Sequence, residues 1–171
     1  EKLNWINFHY MKQLTADQLL ALCLPHLQQA GYASQEPDAA ELSWLKDVVW
    51  AMREHVQYGA QIVDAVQVFF TEDYDPENEE TAAVLKEETA PAVLTMFRDE
   101  LAALDEVTAD TVQPLFKKIQ KGLKVKGKFV YMPIRVAITG VMHGPDLNVI
   151  VALMGRDKVL SRLEQSGLLN Q

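Results

Sequence analysis

The sequence predicts an all-α protein made of two helical subdomains, and three observations carry that expectation. Apolar residues recur at three- and four-residue spacing along most of the 171 residues. Capping and stop signals punctuate those runs at helical lengths. One acidic, proline-containing stretch, residues 71–80, divides them and marks the best boundary.

The first helix opens at Thr15-Ala16-Asp17-Gln18, a capping-box pattern in which Thr15 caps and Gln18 reaches back. Leu19, Leu20, Leu22, Leu24 and Leu27 follow, and Gly31 ends the run. Pro25 removes a backbone donor within it, so a kink or a split is expected there. A second helix starts near Pro37-Asp38 and carries Leu42, Leu45, Val48, Val49 and Met52. A third runs from about Gly59 to Phe70, making a small antiparallel bundle over 15–70, with 1–14 as a connector.

Beyond the boundary, helices are expected over about 81–88, from Pro91 to Leu104 and from Thr108 to Gly122. Residues 125–138 are ambiguous. Phe129, Val130, Tyr131, Ile134, Val136 and Ile138 suit a strand by propensity, whereas Pro133 suits a first helical turn and no second strand is evident to pair with. Leu147 to Met154 reads as a buried helix closed by Gly155, and Asp157 opens a last one through Gln165. These elements form the second subdomain, 71–171.

Charge is distributed more tellingly than its total of −8. From Glu72 to Asp110 there are 13 acids against Lys86 and Arg98. From Thr111 to Pro145 there is no acid and seven bases: Lys117, Lys118, Lys121, Lys124, Lys126, Lys128 and Arg135. A polyanion docks by local field, so this segment is a candidate nucleic-acid surface despite the acidic total. The plainer alternatives are a solvated lysine face, or a helical protein-interaction module that recognises an acidic partner.

Other classes find less support. No apolar run approaches the roughly 20 residues that span a bilayer, and no basic-then-apolar leader opens the chain. Cys23 is the single cysteine and lies in an apolar run, as a core thiol does; a reducing cytoplasm and no membrane partner are expected. His9, His26, His55 and His143 are scattered without metal-ligand spacing, and no phosphate-cradling loop or nucleophile elbow occurs. Glu1 in place of Met, with an abrupt Lys2-Leu3-Asn4-Trp5, suggests a domain cut from a longer chain.

Three stretches, taken together, resemble one family. Lys2 to Tyr10 is similar to the segment after the KMSKS loop of bacterial-type glutamyl-tRNA synthetases, and Phe69 to Tyr74 to a loop inside their anticodon-binding region. Lys126-Gly127-Lys128, Met132 to Gly140, Gly144-Pro145-Asp146-Leu147 and Leu153 to Arg156 resemble its C-terminal signature in order and spacing. The resemblance implies a two-subdomain helical anticodon-binding region and resolves 125–138 as helix. It implies that Pro133-Ile134-Arg135 opens the helix facing the anticodon loop. Arg135 would read the first anticodon base, while the loop Gly144-Pro145-Asp146-Leu147 would touch the splayed bases. Lys126 and Lys128 are the expected phosphate contacts.

The implied partner is tRNA-Glu, bound by a monomer with no catalytic residue, metal or cofactor of its own. The parent ligase would use ATP and magnesium, through HIGH and KMSKS signatures that are missing from this chain. At one position the chain departs from the family. An arginine that some members carry in the second bundle helix, and that distinguishes the last anticodon base of tRNA-Glu from that of tRNA-Gln, aligns with His55. A neutral imidazole lacks a guanidinium fork, and Arg53 lies nearby as a substitute. The expectation is relaxed charging of both tRNAs, with an amidotransferase correcting the product.

Overall fold

The computed structural model describes residues 9–57, 59–71 and 75–170. The expectations drawn on residues 1–8 and 72–74 lie outside them. The chain divides into two compact units, Glu1–Glu72 and Asp73–Gln171. Among the described residues both are built from helices and turns, without a strand.

In the first unit, residues 9–13 are helical and precede α1, Ala16–Gln29. The capping box is formed in both directions: Gln18 N donates to Thr15 Oγ1 at 3.2 Å, and Thr15 N to Gln18 Oε1 at 2.9 Å. At the far end Gly31 takes φ +82°, and Tyr32 N donates to Leu27 O at 2.8 Å, closing the helix with a Schellman turn. Pro25 does not split α1. It sits within the last turns, where only the Ala21 carbonyl loses a helical donor, and burial of Leu19, Leu20, Cys23 and Leu27 holds one continuous helix.

Helix α2, Ala39–Ala51, starts where the Asp38 carboxylate accepts from Glu41 N at 2.8 Å. Its Leu45, Val48 and Val49 pack against the buried face of α1. The third helix is shorter than the spacing predicts. A 3₁₀ turn at Gly59–Gln61, α3 at Ile62–Val66 and a further 3₁₀ turn at Gln67–Phe69 take its place. Ile62, Val63, Val66 and Val68 are β-branched and weak helix formers. At its start, Gly59 comes so close to α1 that a Cβ there would meet the Leu22 carbonyl at 3.2 Å. Tyr32 stacks on Phe70 at 4.5 Å, and Trp44 meets the same ring edge-on at 5.5 Å. Cys23 is buried, and burial pushes its thiol up to about 11.

The second unit begins with α4, Glu79–Val84, shorter at its C-terminal end than expected and capped by Asn78 Oδ1 on Thr81 N at 2.8 Å. Next come α5, Ala90–Ala103, and α6, Ala109–Leu123, the latter capped by Thr108 and Thr111. Helices α7, Lys128–Thr139, α8, Leu147–Met154, and α9, Arg156–Gln165, complete the unit. Helix α5 packs on α6 and α7, α6 on α8, and α9 across α5, α7 and α8. Phe97 and Phe116 stack at 5.8 Å in the centre, and Tyr131 tilts onto Phe116 at 4.9 Å. Two arginines of α9 secure the ends of other helices. Arg162 Nη1 donates to Ile138 O at 2.6 Å, and Arg156 Nη2 donates to Leu104 O.

The ambiguous segment is helical, but it begins earlier than its proline suggested. Helix α7 starts at Lys128, and Pro133 lies mid-helix rather than in the first turn. Val130, Ile134, Ala137 and Ile138 bury one helical stripe, and that burial outweighs the one donor Pro133 removes. The triplet 133–135 is therefore the middle of the helix.

Candidate nucleic-acid interface

Burying the Val130–Ile138 stripe of α7 fixes where its remaining side chains point. Tyr131 and Arg135, four residues apart, share the flank next to that stripe, with Met132 beside them. Opposite stand the 142–146 loop and the first turn of α8, and Gln113 of α6 closes one side. Together they enclose an open cleft of about 680 Å³ lined by Tyr131, Met132, Arg135, Gly144, Asp146 and Leu147 among others.

Arg135 is the unusual group in this cleft. Its Nη1 is buried and has no hydrogen-bond partner. Gly144, at φ +141°, passes so close that a Cβ there would lie 3.2 Å from that nitrogen. Burial lowers the guanidinium from its ordinary pKa, and the Asp146 carboxylate acts in the opposite direction. Among the described residues no salt bridge joins Arg135 to an acid of the 75–110 stretch. An unmet buried donor costs about 1–3 kcal/mol, more when charged, and a site that carries one is prepared for an acceptor.

The loop residues come to the same place. Gly144 and Leu147 line the cleft, with Leu147 buried in the first turn of α8, and Pro145 lies between them in the loop. Lys126 and Lys128 do not line it. They are exposed at the turn between α6 and α7, just after Lys124, whose φ of 56° turns the chain out of α6. Lys117, Lys121 and Lys124 follow Gln113 along one flank of α6 at helical spacing, so the positive run leads away from the cleft wall. Lys118 lies off that flank and pairs with Glu100 at 2.7 Å.

Arg53 and His55 belong to the first unit and are not on a helix position of α2. That helix ends at Ala51, and Arg53–His55 form a 3₁₀ turn, because Val56 must leave in extended conformation to reach its fully buried place. Arg53 is committed internally: its guanidinium lies 4.2 Å over the Trp50 ring and donates to Trp50 O at 2.7 Å. His55 is exposed.

The family described as Anticodon binding domain matches residues 18–166, nearly the whole described chain. The chain belongs to that family. Glutamate–tRNA ligases supply its similar relatives. That of Listeria monocytogenes serotype 4b is 44% identical over 164 residues, covering 95% of this chain and 33% of the relative. That of Bacillus subtilis is 42% identical over 163 residues, covering 95% and 34%. This anticodon-binding domain thus spans about a third of the length of the curated relatives it matches. Its fold is shared with a glutamate tRNA ligase of Elizabethkingia meningosepticum, at a TM-score of 0.80 and 17% identity over 95% of this chain and 31% of that one.

Asp146, part of the loop the resemblance points to, lines the cleft as well, and so do Tyr131, Gln113 and Asn148, to which sequence reasoning had not assigned a site. Tyr131 was discoverable as the residue one turn before Arg135; Gln113 and Asn148 needed the packing of α6 on α8, where Asn148 Nδ2 donates to Ala109 O at 3.2 Å.

The contact between the loop and Arg135 has a direct consequence. Gly144→Ala forces a side chain into a left-handed backbone and against Nη1. The expected result is a loss of about 1–3 kcal/mol in a urea melt together with weakened RNA binding. Unchanged values of both would show that the loop does not hold Arg135.

Proposed function

We propose that this domain binds tRNA-Glu by its anticodon loop and positions it for glutamylation by the rest of a parent glutamate–tRNA ligase. One observation supports the reading most: a guanidinium with a buried, unpaired nitrogen, on a residue that lines an open cleft of about 680 Å³. Sequence-specific RNA reading takes that form, with arginine and aromatic faces meeting bases turned out of a loop.

In this reading Arg135 donates to the first anticodon base, and Gly144, Pro145 and Leu147 shape the wall against the splayed bases. Lys126 and Lys128, outside the cleft, hold phosphates and set register, a division of labour usual at nucleic-acid interfaces. The domain acts as a cytoplasmic monomer and contributes no group to the chemistry. ATP and magnesium belong to the catalytic part of the parent, beyond these residues. Arg53, the guanidinium near His55 in the chain, lies over Trp50 and donates to its carbonyl, which favours relaxed charging of tRNA-Gln as well.

Arg135→Ala tests the base contact. Losing it is expected to weaken binding of the tRNA-Glu anticodon stem-loop about 5- to 150-fold. The loss should shrink on stem-loops whose first anticodon base has been altered, because the contact is already missing there. An equal loss on every stem-loop would make Arg135 a phosphate contact. No loss on any would favour a protein-interaction module.

Specificity is tested in the parent ligase. His55→Arg there is expected to lower charging of tRNA-Gln while largely sparing tRNA-Glu. An unchanged ratio between the two would remove the position from discrimination.

A further inference from the structure

Asp146 occupies the cap position of α8, where an aspartate ordinarily accepts from the first-turn amides. Here its side chain makes no capping hydrogen bond. Only its backbone carbonyl serves the helix, accepting from Val149 N and Ile150 N, each at 3.1 Å. The carboxylate instead lines the cleft that holds Arg135. On an RNA-binding surface a carboxylate is a liability, since it repels every phosphate and cancels the nearest cation. That cost is offset only where the bound group itself offers a hydrogen.

We propose that Asp146 is a second specificity residue: its carboxylate accepts a hydrogen from an amino or imino N–H of the same unstacked base to which Arg135 donates. The assignment rests on the base-reading role given to Arg135. A guanidinium and a carboxylate lining one cleft present donors and an acceptor, matching a base edge on which a carbonyl or ring nitrogen lies beside an N–H. A phosphate has acceptors only and gains nothing from the second partner. The Tyr131 ring and the thioether side chains of Met132 and Met142 supply the apolar and aromatic walls of the same cleft. The carboxylate is therefore a filter: it admits a base that donates and rejects the phosphates that flank it.

The test uses the 171-residue chain and anticodon stem-loops that differ by one atom group at the first anticodon base. Uridine is compared with N3-methyluridine, in which a methyl group replaces the imino hydrogen. Cytidine is compared with pyrimidin-2-one riboside, which lacks the amino donor. With the unaltered chain, deleting the donor is expected to weaken binding about five- to tenfold in at least one pair, the scale of one charge-assisted hydrogen bond. In Asp146→Ala that penalty should fall below about twofold in the same pair. Asp146→Asn, which keeps the shape, should retain an intermediate penalty.

A donor penalty absent from both pairs, or undiminished in Asp146→Ala, would overturn the proposal. So would a uniform gain in affinity on all four stem-loops, which would make Asp146 a plain electrostatic brake. A urea melt of Asp146→Ala, whose side chain caps nothing, is run beside the binding series, so that lost selectivity is told apart from lost folding. Arg135→Ala on the same four stem-loops separates the two assignments. If it leaves base preference intact, the reading of Arg135 fails; if only Asp146→Ala does so, the failure belongs to Asp146 alone.

Discussion

The Arg135 guanidinium is carried from the middle of α7 into a cleft where one of its nitrogens is buried and unpaired, and the surrounding chain is arranged around that cost. Burial of Val130, Ile134, Ala137 and Ile138 fixes the rotation of the helix, leaving Arg135 on the cleft flank. Gly144 lets the backbone lie against the guanidinium, which any Cβ would obstruct. The arginines of α9 fasten Leu104, at the end of α5, and Ile138, near the end of α7, one of the helices that line the cleft. Preorganisation of this kind places the cost of holding a donor in folding rather than in binding.

In the proposed reading, affinity and specificity are separated in space. The exposed lysines along α6 and the following turn lie outside the cleft and provide a sequence-blind field, sensitive to salt. Within the cleft the arginine is accompanied by a carboxylate, so the pair adds little net charge there. A domain with a net charge of −8 can therefore meet a polyanion, because the acids concentrate before Asp110 and the bases after it. The Lys118–Glu100 pair takes one lysine out of that field and, being at the surface, contributes at most about 1 kcal/mol.

Much of the fold was legible because it is written in local signals. Thr15, Asp38, Thr108, Gly31 and Gly155 stand where helices start and stop, and capping chemistry needs only near neighbours. The failures come where tertiary burial overrides such signals. Pro25 read as a kink or a split and Pro133 as part of a first turn, yet each sits inside one helix whose apolar stripe runs past it. Gly59 to Phe69 read as one helix, yet close packing on α1 and β-branched residues cut it into turns. Arg135, Gly144 and Leu147 were named from resemblance, and all three line one cleft. Asp146 was named with the same loop, but that its side chain makes no capping bond is something no spacing rule announces. The place of Arg53 against Trp50 is a tertiary fact of the same sort.

The central claim is that the buried nitrogen of Arg135 acquires a base acceptor when RNA binds. The chain has five arginines, 53, 98, 135, 156 and 162, so guanidinium resonances can be assigned by single substitution. Nitrogen-correlated NMR of those groups, during titration with the tRNA-Glu anticodon stem-loop, observes the bond itself. The account expects the Arg135 Nη signal alone to move into slow exchange with solvent, and to remain unaffected when the first anticodon base is altered. The same response to both stem-loops, or a response only from the lysine-bearing face, would contradict it.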